Sequence, residues 1–409
     1  MRKKLYLYSL LLGWPAILLL GAFGWPTLLS SIEGDRALIW GIDQELVRNT
    51  ISTPIARNHY PQRVLVHRKG REYKSTVNYT IDKDLQNAME SLLEEHGPDY
   101  GVFVAVDPDS GRVLAMANHR RNLKVNKNLA LGNTYPSASI FKLITAAAAI
   151  DLGKIDSDTV VPFNGKSSSL YRKNVLHHEN NKWTQHIPLR TAFAKSVNTV
   201  FGRVGLQQVG GFQLREYAYK FGFNRPLSGD FLFPQSLSQF DPEDEWRVVE
   251  TAAGYTVSNT ISPIHAALLA ASIVNGGRIL SPTLVDSITN EDGIVLYASE
   301  STTTDPIIAP RTAAQLQIMM RETVLNGSAQ KSVQGFSQGN YGDVEVGGKT
   351  GSLSGLRPKG KYDWFVGYAQ RGDKKLAFAS LCINEAYWYV KSSYIARKAV
   401  EHFFEPDRV

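Results

Sequence analysis

Two segments near opposite ends of the chain, each typical of a β-hairpin, constrain the fold most. The sequence "GVFVAVDPDSGRVLAMAN" starts at Gly101, and "YDWFVGYAQRGDKKLAFASLCIN" starts at Tyr362. In each segment, two apolar runs of strand length flank a turn rich in Asp, Gly, Pro or Ser, which predicts an antiparallel hairpin. The pattern between them is mostly helical. We therefore expect one α/β (α+β) domain whose largely antiparallel sheet, flanked by helices, is completed by the last strands of the chain.

Residues that begin and end helices mark two helices clearly. Asp82 and Gly97 bound the helical pattern "KDLQNAMESLLEEH" as a candidate N-cap and C-cap. Ser262 precedes "PIHAALLAASIV", where proline takes the first helical position and Gly276 follows the end. A further helical pattern over 392–404 ends the domain.

A long uncharged stretch follows the first four residues, Met-Arg-Lys-Lys, and runs from Leu5 to Ile32. It is long enough to cross a bilayer, and the positive-inside rule places the basic residues in the cytoplasm and the rest of the chain outside. A cleaved signal peptide, with Ala22 and Gly24 at its cleavage site, is the alternative. The following basic segment contains one strand-like run, 64–67. The predicted organisation is a cytoplasmic tail (1–4), a transmembrane signal-anchor (5–30), a juxtamembrane spacer (31–76) and a globular domain (77–409).

Net charge limits the kinds of molecule that the protein could bind, and cysteine content limits its disulfides. A formal charge of +7 suits nucleic acid, an anionic membrane surface or an acidic polymer. Because export separates the domain from nucleic acid, we expect a partner in the anionic cell envelope and no nucleic acid. The single cysteine, Cys382, excludes an internal disulfide and is expected to pack within a strand.

Lys142 stands on the first turn of an otherwise apolar helical pattern over 136–150. A buried ammonium there is costly unless the lysine is paired or neutral. Ser139, three residues earlier, shares its helix face, and burial would lower the lysine pKa enough for it to accept the serine proton. Backbone N–H groups at the helix N-terminus would stabilise an oxyanion. The pattern indicates a nucleophile and its base, although a lysine that snorkels to solvent is the alternative.

A second Ser-x-x-Lys, Ser328 to Lys331, is predicted to be a loop because no apolar helix follows it. Two further motifs support a catalytic role for Ser139 and Lys142. Ser196-Val-Asn198 supplies a hydroxyl for proton relay and a carboxamide for a bound peptide, although alone it also fits a turn. The second motif, Lys349-Thr350-Gly351-Ser352, follows a strand pattern. The spacing of its glycines does not match that of a phosphate-binding loop. A cation beside hydroxyl groups suits the binding of a carboxylate. Lys349 would also help to keep Lys142 neutral.

A histidine-rich segment, "LHHENNKWTQH", raises the question of a metal site. It holds His177, His178, Glu179 and His186, but it lacks the helical HExxH spacing and has no cysteine nearby. We predict a polar loop near the active site and no metal.

Three short motifs in chain order resemble the active-site triplet of penicillin-binding proteins and serine β-lactamases: Ser139-x-x-Lys142, Ser196-x-Asn198 and Lys349-Thr350-Gly351. With the flanking sequences "TIDKDLQ", "VAVDPDSGRVLAMA" and "WFVGYA", the chain resembles a penicillin-binding transpeptidase domain. The resemblance implies that fold, with an all-helical subdomain beside the sheet, in a monofunctional form without a glycosyltransferase domain. A glycine more commonly precedes the nucleophile, where this chain has Ala138, and threonine is commoner at Ser352.

The resemblance also implies a mechanism and roles for the motif residues. The nucleophile would attack the penultimate D-alanine carbonyl of a peptidoglycan stem peptide, and an amine from a neighbouring stem would then take the acyl group, with no metal or cofactor. β-Lactams would inhibit the enzyme by acylating it. The implied roles are nucleophile (Ser139), general base (Lys142), proton relay to the departing D-alanine (Ser196), substrate amide binding (Asn198), terminal carboxylate binding (Lys349, Thr350, Gly351, Ser352) and oxyanion-hole N–H groups (Ser139, Ser352).

Several alternatives share this machinery. A D,D-carboxypeptidase differs only in using water as the acceptor, and a serine β-lactamase needs in addition a device for fast deacylation. A non-catalytic β-lactam-binding scaffold would keep the pocket without turnover. The leading prediction is a serine D,D-transpeptidase in the cytoplasmic membrane, single-pass with its catalytic domain outside, that works with a separate glycan polymerase.

Overall fold

The computed structural model describes residues 42–68, 70–177, 179–227, 229–300, 304–333 and 341–405. The strands are β1 (Arg63–Arg68), β2 (Arg71–Tyr79), β3 (Tyr100–Val106), β4 (Val113–Arg120), β5 (Val160–Phe163), β6 (Gln185–Pro188), β7 (Leu237–Ser238), β8 (Asn259–Thr260), β9 (Val285–Asn290), β10 (Val295–Ala298), β11 (Glu345–Leu356), β12 (Lys359–Arg371) and β13 (Lys374–Asn384). The helices are α1 (Gln44–Ala56), α2 (Lys83–His96), α3 (Lys142–Asp151), α4 (Arg172–Val175), α5 (Leu189–Ala194), α6 (Asn198–Arg203), α7 (Gly211–Lys220), α8 (Glu245–Ala252), α9 (Pro263–Val274), α10 (Pro310–Leu325), α11 (Gln330–Val333) and α12 (Ser392–Phe403).

The main sheet is antiparallel and has the strand order β11-β12-β13-β3-β4. The two predicted hairpins, β3–β4 and β12–β13, are therefore both present, and β13 pairs with β3 to join them. This confirms that the last strands complete the sheet. β11 lies at one edge, so one side of its backbone has no neighbouring strand among the residues that the structure describes.

Helices cover both faces of this sheet. Along β3, Val102 and Val104 enter the larger core cluster, whereas Phe103 and Ala105 enter a second cluster with α2 and α12. The alternation follows from the two-residue period of a strand. Cys382, on β13, is fully buried in the second cluster, as predicted.

The predicted helix caps are confirmed. The Asp82 side chain accepts hydrogen bonds from the N–H groups of Asp84 and Leu85, and Gly97 takes the left-handed conformation with φ of 45° at the other end of α2. Ser262 caps α9 through its hydroxyl.

Most helices of the middle region pack together as the helical subdomain that the resemblance implies. Helix α3 contacts α7 and the π-helix Val204–Val209, and α6 contacts α8. Because α3 also follows directly after the turn that holds Ser139, this subdomain and the sheet edge meet at the predicted site.

The described part of the predicted spacer is folded onto the domain. Three residues of α1 at helical spacing, Val47, Ile51 and Ile55, are buried, and β2 pairs with β9 in a second sheet of order β1-β2-β9-β10. The boundary predicted after residue 76 falls inside β2. Local pattern could not reveal this, because β9 lies about 200 residues further along the chain. The predicted transmembrane segment, 5–30, is outside the described residues, and no helix within them is both long and apolar enough to span a bilayer.

Candidate active site

Ser139, the predicted nucleophile, lies in a tighter turn than the sequence pattern predicts. The stretch 136–150 is not one α-helix: a 3₁₀ turn, Ala138–Phe141, holds Ser139, and α3 begins only at Lys142. Because a 3₁₀ turn places residues three apart on the same side, Ser139 and Lys142 still face each other.

Neighbouring segments hold this turn in place. Ala138 has φ of 47°, a left-handed conformation that costs a non-glycine residue about 1–2 kcal/mol. Gly254 packs against it so closely that a Cβ there would lie 2.0 Å from the Ala138 carbonyl oxygen. On the other side, Trp364 Nε1 donates a hydrogen bond of 2.9 Å to the Pro136 carbonyl. Ala138 therefore has the left-handed backbone that a glycine would adopt easily, although it is not glycine. The resulting strain lies next to Ser139.

Lys142 is fully buried, and the geometry of its Nζ suits a neutral amine. Nζ lies 2.8 Å from Ser139 Oγ, 2.8 Å from Asn198 Oδ1 and 2.5 Å from the Ala253 carbonyl oxygen. Burial lowers its pKa well below the usual value, and the nearby charge of Lys349 lowers the pKa further. A neutral amine has two N–H groups for the two carbonyl oxygens and one lone pair that can accept the hydroxyl proton of Ser139. This is the arrangement of a nucleophile and its base.

Asn198 binds the base directly. Its Oδ1 accepts the hydrogen bond from Lys142, and its Nδ2 donates one of 2.9 Å to the Ser168 carbonyl. The carboxamide is thus fixed from both ends, with one N–H of Nδ2 left for a substrate. The sequence pattern alone does not reveal this contact with the base.

Lys349 and Ser196 form the second half of the site. Lys349 is fully buried, and its Nζ donates to Ser196 Oγ at 3.0 Å and to the Thr350 carbonyl at 2.8 Å. Burial lowers the pKa of Lys349 to about 7. Because the Ser196 oxygen accepts from Lys349, the Ser196 hydroxyl proton remains available for donation to another group.

The edge strand β11 brings the remaining predicted residues to the cleft. Gly351 lies against the nucleophile turn, since a Cβ there would be 3.2 Å from Ile140 Cγ1, closer than most real contacts. Ser352 is exposed at the free edge. The edge offers unpaired backbone groups to an extended peptide, as in β-strand addition.

Ser328, which the sequence pattern assigns to a loop, also reaches this site. It lies in the turn between α10 and α11, and its Oγ is 2.5 Å from Thr350 Oγ1. Its backbone N–H donates to the Ala194 carbonyl, two residues before Ser196. Ser328 lies in a turn, as predicted, whereas Lys331 of the same motif lies in α11 and not in a loop. Only the tertiary structure reveals the contact of Ser328 with β11.

The histidine-rich segment, predicted to be a polar loop, ends in a strand. His186 is part of β6, which pairs with β5, and His178 is outside the described residues. Where side chains are described, no group of three or more His, Cys, Asp or Glu residues is arranged to hold a metal ion.

Comparison with known proteins agrees with this geometry. The family model described as the penicillin-binding protein transpeptidase domain matches residues 101–403. The peptidoglycan D,D-transpeptidase PbpA of Mycobacterium tuberculosis is 28% identical over 346 residues, which cover 76% of this chain and 67% of that protein. Stage V sporulation protein D of Bacillus subtilis is 25% identical over 344 residues, which cover 75% of this chain and 49% of that protein.

Solved structures share the fold. The D,D-transpeptidase domain of a peptidoglycan glycosyltransferase from Eggerthella lenta aligns with a TM-score of 0.66 and 25% identity, covering 80% of this chain and 82% of its own. The penicillin G acyl-enzyme complex of penicillin-binding protein A from M. tuberculosis aligns with a TM-score of 0.63 and 25% identity, covering 81% and 82%.

A serine beside a buried lysine base, next to an edge strand with a cation and hydroxyl groups, defines a serine enzyme built for acyl transfer. The chain belongs to the family of penicillin-binding protein transpeptidase domains. The family and fold predicted from the sequence are confirmed.

Proposed function

We propose that this protein cross-links peptidoglycan stem peptides through an acyl-enzyme at Ser139 and that β-lactams inhibit it by acylating the same oxygen. The enzyme class, a serine D,D-transpeptidase, is the one predicted from the sequence, and the family match and the names of the relatives bear it out. The observation that carries the residue assignment is the 2.8 Å contact between Ser139 Oγ and the buried Nζ of Lys142.

The first step forms the acyl-enzyme. Ser139 Oγ attacks the penultimate D-alanine carbonyl while Lys142 Nζ takes the hydroxyl proton, and the backbone N–H groups of Ser139 and Ser352 hold the oxyanion. When the C–N bond breaks, the leaving nitrogen takes a proton from Ser196, whose oxygen is held by Lys349. An acceptor amine then attacks the ester and gives one proton to the Ser196 oxygen, while Ser139 Oγ leaves with the proton held by Lys142 Nζ. This step forms the cross-link and restores both serines and the neutral lysine.

The second group of residues binds the substrate. Lys349, in its protonated form, and the hydroxyl groups of Thr350 and Ser352 would hold the terminal carboxylate, with Gly351 allowing the close approach of β11. We assign Ser328 as a positioning residue that orients the Thr350 hydroxyl through their 2.5 Å contact. Asn198 would orient Lys142 and use its free N–H for a substrate carbonyl.

We also propose the location and the partner that the N-terminal sequence suggests. Segment 1–4 would be cytoplasmic, 5–30 would anchor the chain in the cytoplasmic membrane, and the domain would act outside, where a separate glycan polymerase supplies its glycan. Protease protection in intact cells tests this topology, and a protected catalytic domain would contradict it.

Labelling of the full-length protein with a fluorescent penicillin tests the proposed reaction. We expect a label that persists for hours on the wild type and is absent from Ser139→Ala. A label that forms and quickly disappears would support a β-lactamase instead, and no label on the wild type would support a non-catalytic scaffold. Incubation with a D-Ala-D-Ala donor and an amine acceptor then distinguishes a transpeptidase from a carboxypeptidase. A carboxypeptidase would release D-alanine without forming the cross-linked product.

A further inference from the structure

A cavity of about 530 Å³ lies at the C-terminal end of β11, beyond the residues assigned to catalysis. Apolar and polar side chains share its wall. We call it the β11-end pocket, and its principal lining residues are Pro136, Val257, Thr260, Ser354, Leu356 and Arg357.

The β11-end pocket continues the active-site cleft. Pro136, on its wall, lies three residues before the nucleophile and forms a β-bridge with Thr260. Ser354 lies two residues beyond Ser352 on the same edge strand. One wall of the pocket is therefore the segment that leads into the nucleophile turn, and another is the strand that would hold the substrate.

Two polar side chains of the pocket have no side-chain partner among the described residues. The Thr260 Oγ1 atom is buried without a hydrogen-bond partner in the described part of the chain. Arg357 is exposed and forms no ion pair with any described residue, although its carbonyl accepts a hydrogen bond from Thr134. Val257 and Leu356 are 59% and 82% exposed, and both line the same pocket. A guanidinium beside exposed aliphatic groups suits a ligand with a carboxylate and an aliphatic stem.

The direction of a bound donor peptide follows from the proposed function, on which this inference rests. If its terminal carboxylate lies at Lys349 and Thr350 and its scissile carbonyl lies near Ser352, the preceding residues extend toward Arg357. Arg357 follows the last residue of β11 and is five residue steps from Ser352, a length of about 16 Å, or roughly four to five residues of an extended peptide.

We propose that the β11-end pocket binds the part of the acyl-donor peptide upstream of the scissile bond and that Arg357 recognises a free carboxylate on that part. Val257 and Leu356 cover the aliphatic stem of the same segment. The pocket thereby makes the enzyme prefer acidic donors.

Two synthetic donors test this preference. Both end in D-Ala-D-Ala and have the same length, but one carries a free carboxylate about four residues upstream of the scissile bond and the other a carboxamide. We expect the wild type to show a KM about two- to fivefold lower for the carboxylate donor, with a smaller difference at high salt. Arg357→Gln should remove the difference. Lys359→Gln, which removes the same charge from an exposed residue outside the pocket lining, should keep it.

Equal KM values for both donors on the wild type would overturn the proposal, as would a preference that survives in Arg357→Gln or disappears equally in Lys359→Gln. The affinity of unreactive Ser139→Ala for the two donors gives the same comparison without turnover. Penicillin labelling of wild-type Ser139 reports the proposed function separately, so a labelled enzyme without donor preference would contradict only the role of the pocket.

Discussion

Lys142 and Lys349, both fully buried, contact residues only two positions apart in the chain, Asn198 and Ser196 respectively. Two ammonium groups in one desolvated site are unfavourable, and burial together with the charge of Lys349 lowers the pKa of Lys142. Lys349, which we propose binds the substrate carboxylate, thus also helps to keep Lys142 in its basic form.

Removal of the Lys349 charge should shift the pH dependence of acylation. Because Lys142 must be neutral, the acylation rate rises with pH through the pKa of Lys142, and Lys349→Met should move this rising limb to higher pH. The measurement is the second-order rate constant for penicillin acylation between pH 5 and 9. Thr350→Val weakens carboxylate binding without a change of charge, so its rising limb should stay in place. An unshifted limb in Lys349→Met would show that burial alone sets the pKa of Lys142.

The same buried charges should make stability depend on pH. The folded-state pKa of Lys349 is about 7, whereas an unfolded lysine titrates near 10.4. Between these values the unfolded chain binds more protons, so the free energy of unfolding should rise with pH from about 7 to 10. Lys349→Met should flatten this rise and stabilise the protein by about 1–4 kcal/mol at pH 7. Urea unfolding at several pH values measures both effects, and equal slopes in wild type and variant would contradict the assignment.

Asn198→Asp should inactivate the base by keeping it charged. A carboxylate 2.8 Å from Nζ would raise the pKa of Lys142. We expect acylation at pH 7 to fall about 100-fold and to recover partly as the pH rises. Asn198→Ala loses the hydrogen bond without adding a charge, so its residual rate should not show that recovery. A wild-type pH profile in Asn198→Asp would mean that the Asn198 contact does not influence the base.

Local sequence signals predicted the parts of this structure that depend on neighbouring residues. The hairpins, the caps at Asp82 and Ser262, and the pairing of Ser139 with Lys142 all follow from spacing within a few residues. The order of motifs then identified the family.

Contacts between distant segments could not be predicted in this way. The pairing of β2 with β9 depends on tertiary structure, as does the approach of Ser328 to Thr350, which lies 22 residues away. The 3₁₀ turn at Ser139 was also missed, because the left-handed Ala138 is maintained by packing against Gly254 rather than by its own preference.

Ser328 should affect substrate binding more than chemistry. Its hydroxyl contacts that of Thr350 but not the nucleophile or the base in any described contact. Ser328→Ala should raise KM for a D-Ala-D-Ala donor about three- to tenfold with little change in kcat, the size expected for one hydrogen bond. Ser328→Thr keeps the hydroxyl and should restore most of the affinity. A lower kcat with unchanged KM in Ser328→Ala would contradict a role in carboxylate binding.

Gly254 should be essential for the position of the nucleophile. Its φ is 63°, and a Cβ would lie 2.0 Å from the Ala138 carbonyl oxygen and 3.1 Å from Ser139 Cα. Gly254→Ala should therefore lower the free energy of unfolding by about 2 kcal/mol or more and slow penicillin acylation strongly, because the serine must move from its base. Gly153→Ala is the matched control: its φ is 65°, but no atom lies within 4 Å of the added Cβ. In that variant, backbone strain should lower the free energy of unfolding by only about 1 kcal/mol, and the acylation rate should stay unchanged. Similar acylation rates in the two folded variants would show that the contact with Gly254 does not position Ser139.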